Sequence, residues 1–256
     1  MAMTPNERPS SDDLWRKVRG EAETAVAADP VFGRRLTAAI LAHADLGGAI
    51  AFQIGERLGK TAAERAQFAS VAGKAFSAAP ALVEAASLDL SAIAIHDPAV
   101  TGFLAPLLNF KGFVALQAFR VSHWLWSAGR SDLALLLQSE SADTLQVSIH
   151  PSVRIGTSVF LDHATAIVVG ALAEIGDEVT ILHNVTIGRK GTDAVRAPRI
   201  GRGVYLSAGS TMLGDITIGD FAKIGAGALV TSDVPAGCTA VGVPARLVNC
   251  PEEIVA

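Results

Sequence analysis

The sequence is poor in charge and in cysteine, and each shortage excludes a class of protein. Only 18% of its 256 residues are charged, and 25 acidic residues against 21 basic ones give a formal net charge of −4. Nucleic-acid-binding proteins normally carry a basic excess, so we expect no nucleic-acid partner. Two cysteines are too few for a disulfide framework, which predicts a reduced, cytoplasmic protein in which Cys250 has no special role.

Long apolar runs are also missing. The segment MAMTPNERPSSDD at the start lacks the apolar core of a signal peptide, and no later stretch approaches the length of a membrane span. Half of the residues are nevertheless hydrophobic, which is enough for a sizeable core in one large domain or two small ones. We therefore expect a globular protein that makes no contact with a membrane.

A six-residue repeat occupies the chain from about Val153 to Val234. Small or β-branched residues such as Val159, Thr165 and Val185 follow the repeated aliphatic position by four. A period of six fits neither an amphipathic helix nor an alternating strand. It is typical of a parallel β-helix, in which three hexads form one coil of roughly eighteen residues with the aliphatic side chains stacked inside. The aliphatic positions are Ile155, Leu161, Ile167, Ile175, Ile181, Ile187, Ile200, Leu206, Met212, Ile218, Ile224 and Val230.

The repeat is interrupted twice. Ile167 and Ile175 are eight positions apart, which predicts a two-residue insertion. Ile187 and Ile200 are thirteen apart, which predicts a loop that leaves the β-helix near residues 188–199, in a segment rich in glycine and cations. A long loop on a rigid repeat is a usual place for function, and a solvated insertion of no consequence is the alternative.

Residues 1–148 are predicted to form an all-helical domain. Ser10 and nearby polar residues offer N-caps, and Asp29-Pro30 marks a break between helices. Near His150 the period changes from 3.6 to 6. The fold class is therefore α+β, with the helical domain at 1–148, a parallel β-helix at 149–236 and a C-terminal tail at 237–256. The predicted helices are 14–28, 31–45, 47–58, 62–78, 80–88, 110–128 and 131–146.

These elements, in this order, resemble the bacterial serine acetyltransferases over roughly residues 10–248. The hexapeptide repeat alone is shared by many acyltransferases and by zinc carbonic anhydrases, but its combination with the helical segments is more specific. The resemblance implies a left-handed β-helix, a homotrimer or a dimer of trimers, and transfer of an acetyl group from acetyl-CoA to L-serine in cysteine biosynthesis. The matching segments are HDPAV (96–100), PLLNFKGFVALQAFRVSHWLW (106–126), IHPSVRIG (149–156), LDHATAIVVG (161–170) and GVPARLV (242–248).

Transfer of an acetyl group from a thioester to an alcohol needs a base, and histidine suits this task because its pKa lies near the working pH. His163 stands where the family carries its catalytic histidine, so the resemblance implies that it is the general base. The alternative is a structural histidine. Ser148 stands where the family has the aspartate that orients this histidine. We expect the oxyanion donor near Gly188, as a backbone N–H or a loop side chain.

An amino-acid acceptor carries an ammonium and a carboxylate, so its site needs acids and a cation. By family position Asp97 and Asp162 bind the ammonium and Arg196 binds the carboxylate, for which a planar guanidinium is well suited. Asp97 also fits an N-cap before Pro98. His183 occupies the hexad place of His163 one coil later, so it should stack beside His163 and is assigned to the substrate site.

CoA is expected in the groove between neighbouring β-helices, with its pantetheine arm along the backbone of the repeat. By family position the residues that line it are Gly188, Ala208, Gly209, Gly225 and Ala226, and the candidates for its phosphates are Lys223 and Arg246. No metal is expected.

Three departures from the family pattern leave other functions open. Ser148 replaces the orienting aspartate, Ala197 replaces a histidine of the loop, and the tail is short and ends in Ala256, which argues against a complex with the cysteine-forming sulfhydrylase. The alternatives are an acetyltransferase for another small hydroxy or amino acceptor and a regulatory homologue that binds CoA without turnover. A zinc enzyme would need a third histidine beside His163 and His183, and the repeat does not supply one.

Overall fold

The computed structural model describes residues 9–191 and 196–251. Residues 192–195 of the predicted loop and the end of the tail at Ala256 lie outside them. The described chain begins with helices and continues with short strands. The helices are α1 (Ser11–Ala28), α2 (Pro30–Leu36), a π-helical turn (Thr37–Leu41), α3 (Leu46–Leu58), α4 (Ala62–Ala78), α5 (Pro80–His96), α6 (Leu104–Asn109), α7 (Lys111–Ser127) and α8 (Ser131–Leu145).

Polar caps set the helix starts that the sequence predicts. The Ser10 side chain accepts a hydrogen bond from the backbone of Asp13, and Asp29 caps α2, whose first residue is Pro30. Thr61 and Glu64 form a capping box at the start of α4. Proline belongs at such a first turn because it has no N–H to satisfy there.

Helix α5 is longer than predicted, since it continues past residue 88 to His96. Leu90 and Ile93 are buried in the core, which stabilises the additional turns. Asp97 is therefore the C-cap of α5, so the alternative of an N-cap before Pro98 is wrong. Its backbone N–H donates to the carbonyl of Ile93, and its Oδ1 accepts a 2.9 Å hydrogen bond from the N–H of Ala99.

The strands form three parallel sheets, which are the walls of a β-helix. Wall 1 contains β1, β4, β7, β10 and β13; wall 2 contains β2, β5, β8 and β11; wall 3 contains β3, β6, β9, β12 and β14, with β15 antiparallel to β14. The predicted architecture, a helical domain followed by a parallel β-helix, is confirmed. The strands are β1 (Val147–Ile149), β2 (Arg154–Ile155), β3 (Phe160–Leu161), β4 (Ile167–Val169), β5 (Glu174–Ile175), β6 (Thr180–Ile181), β7 (Thr186–Gly188), β8 (Arg199–Ile200), β9 (Tyr205–Leu206), β10 (Thr211–Leu213), β11 (Thr217–Ile218), β12 (Lys223–Ile224), β13 (Leu229–Val230), β14 (Thr239–Val241) and β15 (Arg246–Val248).

The repeated aliphatic residues stack inside the prism. On wall 3, for example, Leu161, Ile181, Leu206 and Ile224 are neighbours in register and are all buried. The two-residue insertion lies in the turn from wall 3 to wall 1, because Val169, eight residues after Leu161, is in register with Ile187, six residues after Ile181.

A buried ionic network joins the helical domain to the first coil. Asp89 of α5 is fully buried, and its carboxylate accepts hydrogen bonds from the Arg120 guanidinium at 2.8 and 3.0 Å and from Gln117 Nε2 at 3.0 Å. It also accepts from the backbone N–H of Val159, while Arg120 donates to the carbonyl of Gly156 at 2.7 Å. Helices α5 and α7 are thus fixed to the start of the β-helix.

The expectation of two reduced cysteines is wrong in this structure. Wall 3 continues through β14 into the segment that the sequence assigns to the tail, and the antiparallel pairing of β14 with β15 sets Thr239 opposite Val248. Cys238 and Cys250 flank this hairpin and form a disulfide. The pairing was not predicted because it depends on a strand that reverses direction, which a six-residue repeat does not foretell.

Within the described ranges no single helix is both long and apolar enough to cross a membrane. Two helix pairs reach the length and composition only together, and they are bent by 118° and 103° at their breaks.

Candidate active site

The two predicted site histidines lie on one edge of the prism, where wall 3 turns into wall 1. We call this edge, formed by the turns at residues 162–166, 182–185, 207–210 and 225–228, the histidine edge. Backbone hydrogen bonds connect its successive turns, for example from Asn184 N to Thr165 O and from Gly209 N to His183 O. The rings of His163 and His183 are 6.0 Å apart and perpendicular, as the hexad spacing predicts.

A cavity of about 260 Å³ lies between the histidine edge and the helical domain. Asp97 enters it from the end of α5, and Asp162 and His163 enter it from the first turn of the edge. The His163 side chain is 76% exposed, and its Nε2 lies 3.8 Å from Asp162 Oδ1. The structure thus brings three of the predicted residues together, with two carboxylates and one imidazole facing the same space.

Lys111 also lines this cavity and was not assigned a role from the sequence. It is the first residue of α7, and its Nζ donates a 2.6 Å hydrogen bond to Thr165 Oγ1, two residues after His163. Burial lowers the pKa of the Lys111 ammonium. A lysine directly before a glycine, at the start of the strongest predicted helix, was the available signal. Asn109, Phe110, Gly112 and Leu161 complete the lining.

The turn that carries His163 differs from the other turns of the same edge. Each of the others has one left-handed residue at its third position, namely Asn184, Gly209 or Gly227. The His163 turn has three: His163 (φ 55°), Ala164 (φ 57°) and Ala166 (φ 59°). This conformation costs a residue other than glycine about 1–2 kcal/mol.

The irregular turn also overturns one detail of the predicted repeat. Thr165 was expected to pack inward, as Val159 and Val185 do, but Thr165 is exposed, because the two-residue insertion puts Ile167 in the buried place beside Val185. Gly112 of α7 packs against the strand that leads into the turn, so closely that a Cβ there would clash with the carbonyl oxygen of Leu161. The start of α7 therefore supports the turn that carries His163 from outside the prism.

Ser148 does not contact His163 within the described chain. It lies on the outer face of wall 1, and its hydroxyl accepts a 3.2 Å hydrogen bond from Gln138 Nε2 of α8. Its neighbour in the sheet is Val168. Within a single copy, Ser148 therefore does not orient His163 as the sequence predicts.

Arg196 lies on a different edge of the prism from His163. The long loop leaves wall 1 after Gly188 and returns to wall 2 at Arg199, so we call this the loop edge. There Arg196 pairs with Asp215 at 3.3 Å, and Arg199 pairs with the same carboxylate at 2.8 Å. The hydrogen bond from Arg199 is the main reason that the pKa of Asp215 is lowered.

A second cavity, of about 290 Å³, opens beside Arg196 on the loop edge, and none of its lining residues lines the cavity of His163. Ala197, which replaces the family's histidine, is buried there. His150 belongs to this edge too: burial, and then the charge of Arg189, lower the pKa of its imidazole. Wall 1 therefore lies between Arg196, the predicted carboxylate ligand, and His163, the predicted base.

Most of the predicted CoA residues lie along the histidine edge. Ala208 and Gly209 form its third turn, and Gly225 and Ala226 belong to its fourth. These small residues leave the backbone accessible beside His183. The other three positions lie elsewhere: Gly188 at the end of wall 1, Lys223 exposed on wall 3, and Arg246 exposed in β15.

Among the residues that the structure describes, no group of three or more histidine, cysteine, aspartate and glutamate side chains could hold a metal ion.

A parallel β-helix of hexapeptide repeats with a histidine and two carboxylates in a cavity at its edge defines the class of hexapeptide acyltransferases. Residues 14–118 match the family described as "Serine acetyltransferase, N-terminal". The chain is 41% identical to the serine acetyltransferase of Escherichia coli K12 over 240 residues, which are 93% of this chain and 88% of that one. The chain belongs to the serine acetyltransferase family.

Two solved structures extend this comparison. Soybean serine acetyltransferase complexed with serine is 43% identical, with a TM-score of 0.88 over 92% of this chain and 97% of that one. A serine acetyltransferase in complex with CoA is 38% identical, with a TM-score of 0.89 over 93% of this chain and 100% of that one.

Proposed function

We propose that this chain transfers the acetyl group of acetyl-CoA to the hydroxyl of L-serine, giving O-acetyl-L-serine for cysteine biosynthesis. The observation that carries the proposal is the cavity in which Asp97, Asp162 and His163 converge at the edge along which the small CoA-lining turns are stacked. The relatives complexed with serine and with CoA support the same two substrates.

The reaction is direct attack in a ternary complex. The serine hydroxyl oxygen attacks the thioester carbonyl carbon while His163 takes its proton, and the C–S bond of the tetrahedral intermediate then breaks. The proton passes to the leaving sulfur, so that the products are O-acetylserine and CoA thiol. Asp97 and Asp162 hold the ammonium of serine. Among the residues that the structure describes, no cysteine or serine stands in a nucleophile elbow, which favours direct transfer over a covalent acetyl-enzyme.

The purified protein tests this reaction directly, by release of CoA thiol from acetyl-CoA with L-serine, homoserine, threonine and amino sugars offered separately. We expect saturable release with L-serine. Turnover with another acceptor alone would keep the mechanism and change the substrate. CoA binding without turnover on any acceptor would contradict the enzyme and favour the regulatory homologue.

We propose a homotrimer in which each site is shared by two copies. The support is the outer row of wall 1, Ser148, Val168, Thr186, Thr211 and Leu229, which carries no charge. Wall 2 instead presents Arg154, Glu174 and Arg199. If three copies turn wall 1 toward a common axis, the loop edge of one copy meets the histidine edge of the next, and Arg196 reaches the carboxylate of serine beside His163.

We also propose that two trimers pair through their helical domains. The apolar side chain of Val31 on α2, which is exposed, supports this pairing.

A mixing experiment tests the shared site. His163→Ala and Arg196→Ala should each be inactive alone, because each removes one half of every site. When the two variants are unfolded and refolded together, about a quarter of the sites in randomly mixed trimers combine an intact His163 with an intact Arg196, so about a quarter of wild-type activity should return. Mixing after separate folding is the control. No recovery in refolded mixtures that light scattering identifies as trimers would contradict sharing.

In the proposed trimer Ser148 faces a neighbouring copy, so Ser148→Asp should raise kcat, by about tenfold, because a carboxylate there stabilises the imidazolium of that copy's His163, which a hydroxyl does not. Ser148→Asn is the matched control, since it adds similar volume without charge and should not raise kcat. The measurement is kcat at saturating serine and acetyl-CoA. A fall in kcat with aspartate would mean that the site is built around serine.

We propose the cytoplasm as the compartment, because acetyl-CoA is a substrate that is made and kept inside cells.

A further inference from the structure

The turn at His163 contains the two-residue insertion, and the hexapeptide repeat provides no contacts for its extra residues. At the other three turns of the histidine edge the residue four places after the wall 3 aliphatic is buried, as Val185, Ser210 and Ala228 show. At the first turn the two-residue insertion gives that place to Ile167, because Val168 and Val169 are in register with Thr186 and Ile187, and it leaves Thr165 facing outward. Three left-handed residues without a glycine among them make this arrangement locally unfavourable. Contacts from outside the repeat must therefore stabilise it.

We propose that Lys111 is a positioning residue. By its bond to Thr165 it holds the turn in the conformation that places His163 in the cavity. The Thr165 hydroxyl accepts the 2.6 Å hydrogen bond from Lys111 Nζ and faces the carbonyl oxygen of His163 at 3.5 Å. Lys111 is the first residue of α7, and the adjacent Gly112 contacts the strand that enters the turn. One rigid element thus contacts both ends of the segment that carries His163.

Helix α7 is itself held in place by other contacts, so it can fix the position of the turn. Arg120, nine residues further along α7, is bound to the buried Asp89 and to the carbonyl of Gly156 in the first coil. Without the bond from Lys111, we expect the turn to become more mobile around Thr165, because Ile167 already fills the buried place that Val185 occupies one coil later. His163 would then move relative to Asp97 and Asp162, although no group that touches the substrate had been removed.

This proposal rests on the proposed acetyl transfer, and a double-mutant cycle tests it. Lys111→Met keeps the length of the side chain without the donor, and Thr165→Val keeps the shape without the hydroxyl. Each single variant should lower kcat by about tenfold, because a small misplacement of a base slows proton transfer while ground-state binding is kept. The double variant should be no slower than either one, since both changes break the same bond.

Further readouts separate positioning from other roles. KM for serine should stay within about twofold of wild type, since Lys111 does not hold the substrate in this proposal. Lys111→Arg and Thr165→Ser, which keep a donor and an acceptor, should recover most of kcat. Lys60→Met, the same substitution at an exposed lysine that pairs with Glu140, should leave kcat unchanged.

Three results would overturn the proposal. A raised KM for serine in Lys111→Met, with Thr165→Val unaffected, would make Lys111 a carboxylate ligand. Additive losses in the double variant, about 100-fold together, would mean that the two residues act separately. An unchanged kcat in both single variants would leave the bond without a role in catalysis.

Hydrogen exchange separates a failure of this proposal from a failure of the proposed function. The amides of residues 161–168 should exchange faster in both single variants than in wild type, with no substrate present. If wild type shows no serine-dependent turnover, the reaction assignment fails, and the exchange comparison still decides whether Lys111 holds the turn. Equal exchange in all proteins would overturn the positioning role.

Discussion

His163→Ala should lower kcat by about 10³-fold while CoA still binds, because the variant removes the base and leaves the turns that line the CoA site intact. The imidazole lies in the cavity with Asp97 and Asp162 and makes no buried contact that the fold requires, since its side chain is 76% exposed. The measurement is the release of CoA thiol at saturating serine, with calorimetric titration of CoA as the binding readout.

The control for this variant is His43→Ala, which makes the same change in the helical domain. His43 Nε2 donates one hydrogen bond to the carbonyl of Ala38, its ring packs against Phe52, and it does not line the cavity. Its kcat should stay within about twofold of wild type. Near-normal turnover in His163→Ala would remove His163 from the mechanism and return it to a structural role.

Asp89→Ala should be the most destabilising single change that the structure points to. It leaves the Arg120 guanidinium buried without its carboxylate, and it leaves the side-chain amide of Gln117 and the backbone N–H of Val159 without acceptors. Breaking a buried ion pair by removing one partner costs about 3–5 kcal/mol. For a chain of this length that corresponds to a fall in Tm of roughly 10 °C.

The matched control is Asp143→Ala, which breaks a surface ion pair with Lys60 at 3.5 Å. An exposed pair contributes about 1 kcal/mol or less, so Tm should hardly change. Thermal unfolding followed by circular dichroism compares the two variants. Equal stability of Asp89→Ala and Asp143→Ala would mean that the buried network does not stabilise the joint between the helical domain and the β-helix.

The proposed ammonium ligands and the proposed base were predictable because they stand in short local motifs. His163 and Asp162 are adjacent in one turn, and Asp97 follows a helix in a segment that resembles the family. Lys111 escaped prediction because its role depends on a contact across 54 positions of the chain. Ser148 and Arg196 were named but lie away from His163 within one copy, since a repeat pattern assigns residues to walls and edges without showing how copies meet.

By itself the sequence determined the walls of the β-helix. A period of six repeats the same local geometry at every uninterrupted coil, so the register of Leu206 with Ile224, eighteen positions later, follows from counting. The caps of Ser10 and Asp29 were equally local. Such features are readable because neighbouring residues alone decide them.

Only the tertiary structure decided the remainder: the bond between Lys111 and Thr165, the network around Asp89 and the pairing of Cys238 with Cys250. In each case the partner comes from another element, and the interaction forms only after that element has packed. Helix α7 shows why this matters for function, because the same helix anchors the joint through Arg120 and contacts the catalytic turn through Lys111.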